Sequence, residues 1–289
     1  MSLRVGLKLP QQGVSVAELR EVWRIADEAG FDHLWNFDHF VPILPEVGAE
    51  ILEAWTLLAA MAVDTRRVRI GVMVTGNTYR HPGVLAKMAT TVDHLSGGRL
   101  EFGLGAGWNE REHRMLGIPL ETPGVHIAKL AEAIQVIRSL WTRPSTTFSG
   151  RHYRLQEAIS DPKPLQRPCP PVWVGGRGER KTLRVVAELA DAWNVINVDP
   201  VEAGRLGSVL DAHCAAVGRS PAEIRRSAQL PLDVDDPSRT VSLVHEYAAR
   251  GFFEPVIGIR PPDPVHAAAV AAEKVLPELR AARFQEVAQ

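Results

Sequence analysis

Little in this sequence points to a partner recognised by bulk charge or to a secreted scaffold. Its 289 residues hold 33 basic and 34 acidic side chains, a formal charge of -1. With no net field to draw in nucleic acid or anionic lipid, any ligand must be held by local chemistry. Cysteine is confined to Cys169 and Cys214, far apart and without C-x-x-C spacing, which excludes a disulfide framework and a structural zinc site. Both read as reduced thiols of a cytoplasmic protein. The N-terminus MSLRVGLKLPQQG is too weakly apolar for a signal peptide, and no run reaches the roughly eighteen apolar residues of a membrane span. Serine-hydrolase elbows, H-E-x-x-H helices and P-loops are also missing.

What is present is a rhythm of short apolar strands and amphipathic helices. Arg4 to Leu9 reads as a strand, and Ser15 with Glu18 forms a capping box that starts a helix. The apolar face of that helix runs through Val16, Leu19, Trp23 and Ala26, and Gly30 ends it. The pattern recurs with strands at His33 to Asn36, Val68 to Val74 and Leu100 to Gly105. Helices fall at Glu53 to Val63 and at Val84 to Leu95, the latter with Val84, Leu85, Met88, Val92 and Leu95 on one side. Four further strands follow at Val172 to Gly175, Trp193 to Asn197, Ser227 to Leu232 and Pro255 to Ile259. Pro200 opens a helix that Gly218 closes, and Ser220 with Glu223 is a second capping box. Eight strand-helix units in one chain of 45% apolar composition predict a single-domain α/β protein, a (β/α)8 TIM barrel spanning 1–289. Residues 107–171 interrupt the rhythm after the fourth strand. They hold a short helix near Glu110 to Leu116, a longer one from Ile127 to Leu140 and a proline-rich stretch, read as an insertion over the barrel mouth.

In such a barrel the reacting groups stand where strands finish. After the second strand come Asp38 and His39, either a proton-transfer pair, with the carboxylate fixing the imidazole tautomer, or a plain loop dipeptide. After the third, Thr75, Gly76 and Asn77 form a polar turn. GLGAGWNEREH places Ala106, Gly107 and Trp108 after the fourth, but its G-x-G-x-G spacing lacks the acidic residue of a dinucleotide fingerprint. The E-x-x-H spacing of Glu110 and His113 has no second copy, and an exposed helix face explains it. WVGGRGERKTL ends a strand at Gly175, Gly176, Arg177 and Gly178, with a helix expected near Arg180. This turn either gathers backbone N–H groups into an anion site or simply allows tight packing.

Taken in order, DHF at 38–40, EAWTLLAAMA, VTGNTYRHP, LSGGRLEFGLGAGWNEREH, PPVWVGGRGERKTL and ELADAWN resemble the deazaflavin-dependent oxidoreductases of the luciferase-like monooxygenase superfamily. The resemblance runs from about residue 3 to the end of the chain. It implies a (β/α)8 barrel, a homodimer, a small-molecule substrate and coenzyme F420 in the mouth, with FMN as the alternative cofactor. It also implies a non-prolyl cis peptide at Met73-Val74 behind the ring and the cofactor phosphate at Gly175 to Gly178. His39 becomes the proton-transfer residue, and Asp38 contacts the cofactor region and positions it. Relative to the F420-dependent glucose-6-phosphate dehydrogenases, Ile43 replaces a tryptophan, and Ala106-Gly107-Trp108 lies near the place of an active-site glutamate. An apolar pocket of Phe40, Ile43 and Trp108 and a small organic substrate are therefore expected. A flavin-dependent monooxygenase and a non-catalytic flavin-binding protein are the other readings.

Overall fold

The structure is a computed structural model that describes residues 2–44 and 50–282. Its strands are β1 Gly6–Lys8, β2 His33–Asn36, β3 Arg69–Val72, β4 Thr75–Gly76, β5 Leu100–Gly105, β6 Thr146–Ser149, β7 Arg154–Ala158, β8 Val172–Gly175, β9 Ala192–Val195, β10 Arg225–Pro231 and β11 Glu254–Gly258. The helices are α1 Val16–Ala29, α2 Ala54–Asp64, α3 Pro82–Leu95, α4 Glu110–Leu116, α5 Pro123–Thr142, α6 Thr182–Leu189, α7 Pro200–Val217, α8 Pro237–Ala248, α9 Pro264–Val270 and α10 Leu276–Ala281.

The parallel sheet runs β3-β2-β1-β11-β10-β9-β8-β5 and closes where Ile70 pairs with Leu100 and Gly71 with Glu101. This is the expected eight-stranded barrel. The third barrel strand is split: β3 ends at Val72, the Met73-Val74 peptide is cis, and the strand resumes as β4 against Leu104 and Gly105 of β5. The expected unbroken strand from Val68 to Val74 is thus corrected, while the expected cis peptide is present.

Side-chain alternation along each strand makes two cores. Trp35, Met73, Trp173, Ala192 and Val256 fill the barrel interior. Leu34, Ile70, Val72, Phe102, Leu104 and Val174 face outward beneath the helices. Each such burial contributes about 1.5–3 kcal/mol before the cost of ordering is subtracted. At the end where the strands begin, Glu101 is buried among Arg4, Arg69 and Arg225, and Glu254 pairs with Arg4 and Arg225. Burial alone would raise the Glu101 carboxyl, but the Arg225 and Arg69 guanidiniums hold it below the usual range.

Three other expectations change. Val16, Val84 and Leu95 are exposed, because each lies in the first or last turn of its helix outside the stripe that meets the barrel. Helix α5 lies inside the supposed insertion yet packs between α3 and α6 as a member of the outer ring, and the Trp141 indole N–H donates to the Ala86 carbonyl at 3.0 Å. Among the described residues, the added pieces of 107–171 are α4, the antiparallel β6-β7 hairpin and the proline-rich return. Finally, the helix after GGRG starts at Thr182, not Arg180.

Candidate active site

The ends of β2, β4, β5 and β8 bring the four sequence motifs to one mouth. Asp38 and His39 do not act as a pair. The two side chains, in the loop just past β2, carry separate networks. Asp38 is buried, takes both guanidinium nitrogens of Arg80 at 2.6 and 3.0 Å, and accepts from the Gly76 N–H at 3.0 Å. Burial pushes its carboxyl up, and Arg80 opposes that. Arg80 also reaches Glu53 Oε1 at 2.6 Å, so this cluster pins β4, just past the cis peptide, to the start of α2.

The carboxylate that meets His39 belongs to Glu112 on α4. His39 Nδ1 lies 2.8 Å from Glu112 Oε2. Glu112 also accepts from the Tyr79 hydroxyl and from the backbone N–H groups of Phe40 and Val41. Burial would raise its pKa, but the hydrogen bonds from His39, Tyr79 and Phe40 outweigh it and take the carboxyl down to about 2. An ionised carboxylate only accepts, so the His39 proton sits on Nδ1 and Nε2 is left outside this bond. Burial and the same bond to Glu112 raise the Tyr79 phenol.

Helix α4 is fixed from below as well. Asn109 caps it by accepting from the Glu112 N–H at 3.3 Å. His113, expected on an exposed face, is buried, with Nδ1 donating to the Asn109 carbonyl and Nε2 accepting from the Thr78 hydroxyl, both at 2.7 Å. Trp108 is 67% exposed, the rim residue of the site, and meets the His39 ring edge-on at 5.7 Å between centroids. Phe40, expected in the pocket wall, instead packs on Tyr79 and under the Arg80 guanidinium.

The glycines of GLGAG serve the protein's own backbone. A Cβ at Gly103 would collide with the Val72 carbonyl, and one at Gly105 would lie 2.6 Å from Val74 Cγ2. A Cβ at Gly175 would also lie 3.0 Å from Val74 Cγ1. The side chain that follows the cis peptide therefore lies in a cradle formed by β5 and β8. Two polar atoms shortly after this peptide, Thr75 Oγ1 and Asn77 Oδ1, are buried without a hydrogen-bond partner.

At the GGRG turn, the expected nest of free N–H groups is only partly there. The Gly176 N–H donates to the Asn194 carbonyl at 3.1 Å, and the Gly176 carbonyl accepts from the Trp193 indole. Just beyond lies a cavity of about 680 Å³ lined by Gly124 and Ile127 of α5 together with Arg177, Glu179, Arg180, Lys181 and Thr182, three cations against one carboxylate that pairs with Arg205. Neither α5 nor α6 has a side-chain cap at its N-terminus. Among the described residues, no carboxylate forms an ion pair within 4 Å of Arg180 or Lys181, so two helix N-termini and these two cations converge on one opening, with Glu179 beside Arg180. Glu112, Tyr79 and Arg80 were not singled out in the sequence; the N3 position of Glu112, three residues after the capping Asn109, was the available signal.

No helix among the described residues is long and apolar enough to cross a membrane. The model of the luciferase-like monooxygenase family matches residues 2–273. An F420-dependent glucose-6-phosphate dehydrogenase of Amycolatopsis mediterranei is 35% identical over 61% of this chain and 52% of its own length. A Mycobacterium tuberculosis protein provisionally named a coenzyme F420-dependent oxidoreductase is 31% identical over 81% of this chain and 68% of its own. This chain thus spans about half the length of several curated relatives it matches. An F420-dependent secondary alcohol dehydrogenase, solved with an F420-acetone adduct, superposes with a TM-score of 0.86 at 19% identity, covering 97% of this chain and all of the other. The fold, the ordered blocks and the near full-length match together make this chain a member of the luciferase-like monooxygenase family.

Proposed function

We propose that this chain is an oxidoreductase that works with coenzyme F420 on a small organic substrate. The observation that carries the reading is the His39-Glu112 dyad after the end of β2, an imidazole held at Nδ1 by a buried carboxylate that leaves Nε2 outside the bond. This is the arrangement of a general acid-base. The relatives named above as dehydrogenases, and a Mycobacterium protein named a phthiodiolone and phenolphthiodiolone dimycocerosate ketoreductase, support exchange between alcohol and carbonyl.

The residues present fit the cofactor. The unpartnered Thr75 Oγ1 and Asn77 Oδ1, shortly after the Met73-Val74 peptide, offer polar contacts to a ring. Ala106, Gly107 and Trp108 after β5, and Gly175, Gly176, Arg177 and Gly178 at the end of β8, form neighbouring parts of the mouth, since the two strands pair directly. Arg180 and Lys181, with the N-termini of α5 and α6, suit its anionic end. When bound, the deazaflavin supplies hydride acceptance and release at C5. His39 Nε2 exchanges a proton with the substrate heteroatom, and Glu112 holds the opposite proton on Nδ1. Asp38 acts at one remove, fixing Gly76 and Arg80 and through them the turn after the cis peptide. Trp108 shields the dyad from water. The family resemblance also supports a homodimer in the cytoplasm, which sedimentation checks.

The test is turnover. Secondary alcohols with oxidised F420, and ketones and enones with its reduced form, are screened by the cofactor's absorbance. Change with a member of either set supports the reading. Turnover only with reduced FMN and oxygen would make the chain a flavin monooxygenase, and binding without turnover on any of these substrates would favour a storage protein.

A further inference from the structure

One cation of the mouth has no role in the account above. Lys8 is the last residue of β1, paired in register with Trp35 on one side and Gly258 on the other. Its Nζ donates to Gln229 Oε1 of β10 at 2.7 Å. Because β11 stands between β1 and β10, that bond runs across the inside of the barrel. Gln229 Nε2 then donates to Asn194 Oδ1 at 2.6 Å, and Asn194 Nδ2 to the Ser227 hydroxyl at 2.9 Å. Asn194 is the register partner of Gly175, the residue against which Val74 rests. A polar chain therefore crosses the interior from β1 to the Val74-Gly175 cradle.

An ammonium has three N–H donors, and this one has a single protein acceptor. The charged group that acts on it is Arg260, of the same sign, while Gln229, Asn194 and Ser227 are its polar company; no carboxylate pairs with it among the described residues. A half-buried cation with no counterion, at the strand end where ligands bind, is incomplete without an anionic atom. Burial, helped by Arg260, pushes the Lys8 amine down to about 7.

We propose that Lys8 is the anion-pairing residue of the barrel mouth, the group that meets a negatively charged or polarised oxygen or nitrogen of a ring lying over the Val74-Gly175 cradle. The proposal rests on the mouth being a ligand site; it does not require that the ligand be F420. Pairing with a ring that becomes anionic on reduction would favour the reduced form, placing Lys8 among the groups that set the direction of the reaction.

The experiment is competitive trace acetylation of the intact protein with isotopically labelled acetic anhydride from pH 6 to 11, each lysine read by mass spectrometry after digestion. Lys8 is expected to label with a midpoint near 7, against about 10.4 for an ordinary lysine. A midpoint with the ordinary lysines, or no labelling at any pH, would overturn the proposal, since the amine would then be either solvated or sealed away. The labelling is repeated with saturating F420, and with FMN, each bound fraction being followed by its own fluorescence. Lys8 labelling should fall several-fold at pH 7 while Lys87 and Lys129 stay unchanged. Bound cofactor that leaves Lys8 labelling untouched also overturns the proposal. Failure of F420 to bind at all counts against the function proposed above, whereas the titration and the FMN arm still decide the role of Lys8.

Discussion

His39 Nδ1 stands 2.8 Å from a carboxylate oxygen of Glu112, a residue 73 positions further along the chain. That contact fixes which imidazole nitrogen carries the proton and leaves the other outside the bond. His39→Ala should therefore lower maximal turnover by roughly 10²- to 10⁴-fold, the usual worth of a positioned acid or base, with cofactor affinity little changed. A folded His39→Ala protein with full turnover would leave the proton to another group.

Glu112→Gln keeps size and hydrogen bonding but removes the charge that stabilises a protonated ring. Turnover should fall, by less than in His39→Ala, while KM and cofactor affinity hold. A fall confined to KM would mean that Glu112 only props up the loop at 39–41. The Glu112 carboxyl also links to stability. Its folded value, about 2 against an ordinary 4.5, means that it stabilises the fold above about pH 4.5 and loses that contribution as the pH falls toward 2. Urea unfolding of Glu112→Gln should accordingly be less pH-dependent across that window.

At the other end of the barrel, His33 accepts from the Trp35 indole on Nδ1 at 2.6 Å and is pushed by burial down to about 3. The folded protein therefore keeps it neutral while the unfolded chain protonates near 6.5, so stability should decline as the pH drops from about 6.5 toward 3. His33→Gln preserves an acceptor for Trp35 and should flatten that decline in urea titrations. An unchanged slope would assign the acid sensitivity to other groups.

Gly105→Ala would place a methyl group 2.6 Å from Val74 Cγ2. Overpacking of this kind costs about 1–3 kcal/mol. Thermal unfolding should show the loss, and adding Val74→Ala should restore part of it, since the two changes share one space. Additive losses would contradict the cradle.

Arg180→Glu with Lys181→Glu reverses two unpaired surface charges without touching the core. Cofactor affinity should drop, and its salt dependence should weaken, when measured by fluorescence at two ionic strengths. This is a cleaner test of the anion site than Gly176→Asp. Gly176 has φ +140 and a Cβ there would lie 3.0 Å from Thr182 Cγ2, so any side chain strains that turn.

Much of the barrel was legible in the sequence because period-two and helical patterns are local. His33 to Asn36, Leu100 to Gly105 and Val172 to Gly175 form strands with the expected bounds, and the Ser15-Glu18 box caps α1. The dyad was not legible. Adjacency suggested Asp38 as the partner of His39, but the two side chains carry separate networks, and only the closed barrel brings α4 over the end of β2. The G-x-G spacing was visible while its cause was not, since the groups it accommodates, Val72 and Val74, lie on another strand. The candidate anion site moves for a related reason: the Gly176 N–H is used by the Asn194 carbonyl, and Arg180 and Lys181 follow it at the cavity.

The measurement that most directly tests the central claim is titration of the cofactor-free protein with coenzyme F420 and, separately, with FMN, followed by fluorescence under identical buffer and salt. Tighter binding of F420 is the predicted result. Equal or tighter binding of FMN would contradict it and make this a flavin enzyme of the same family.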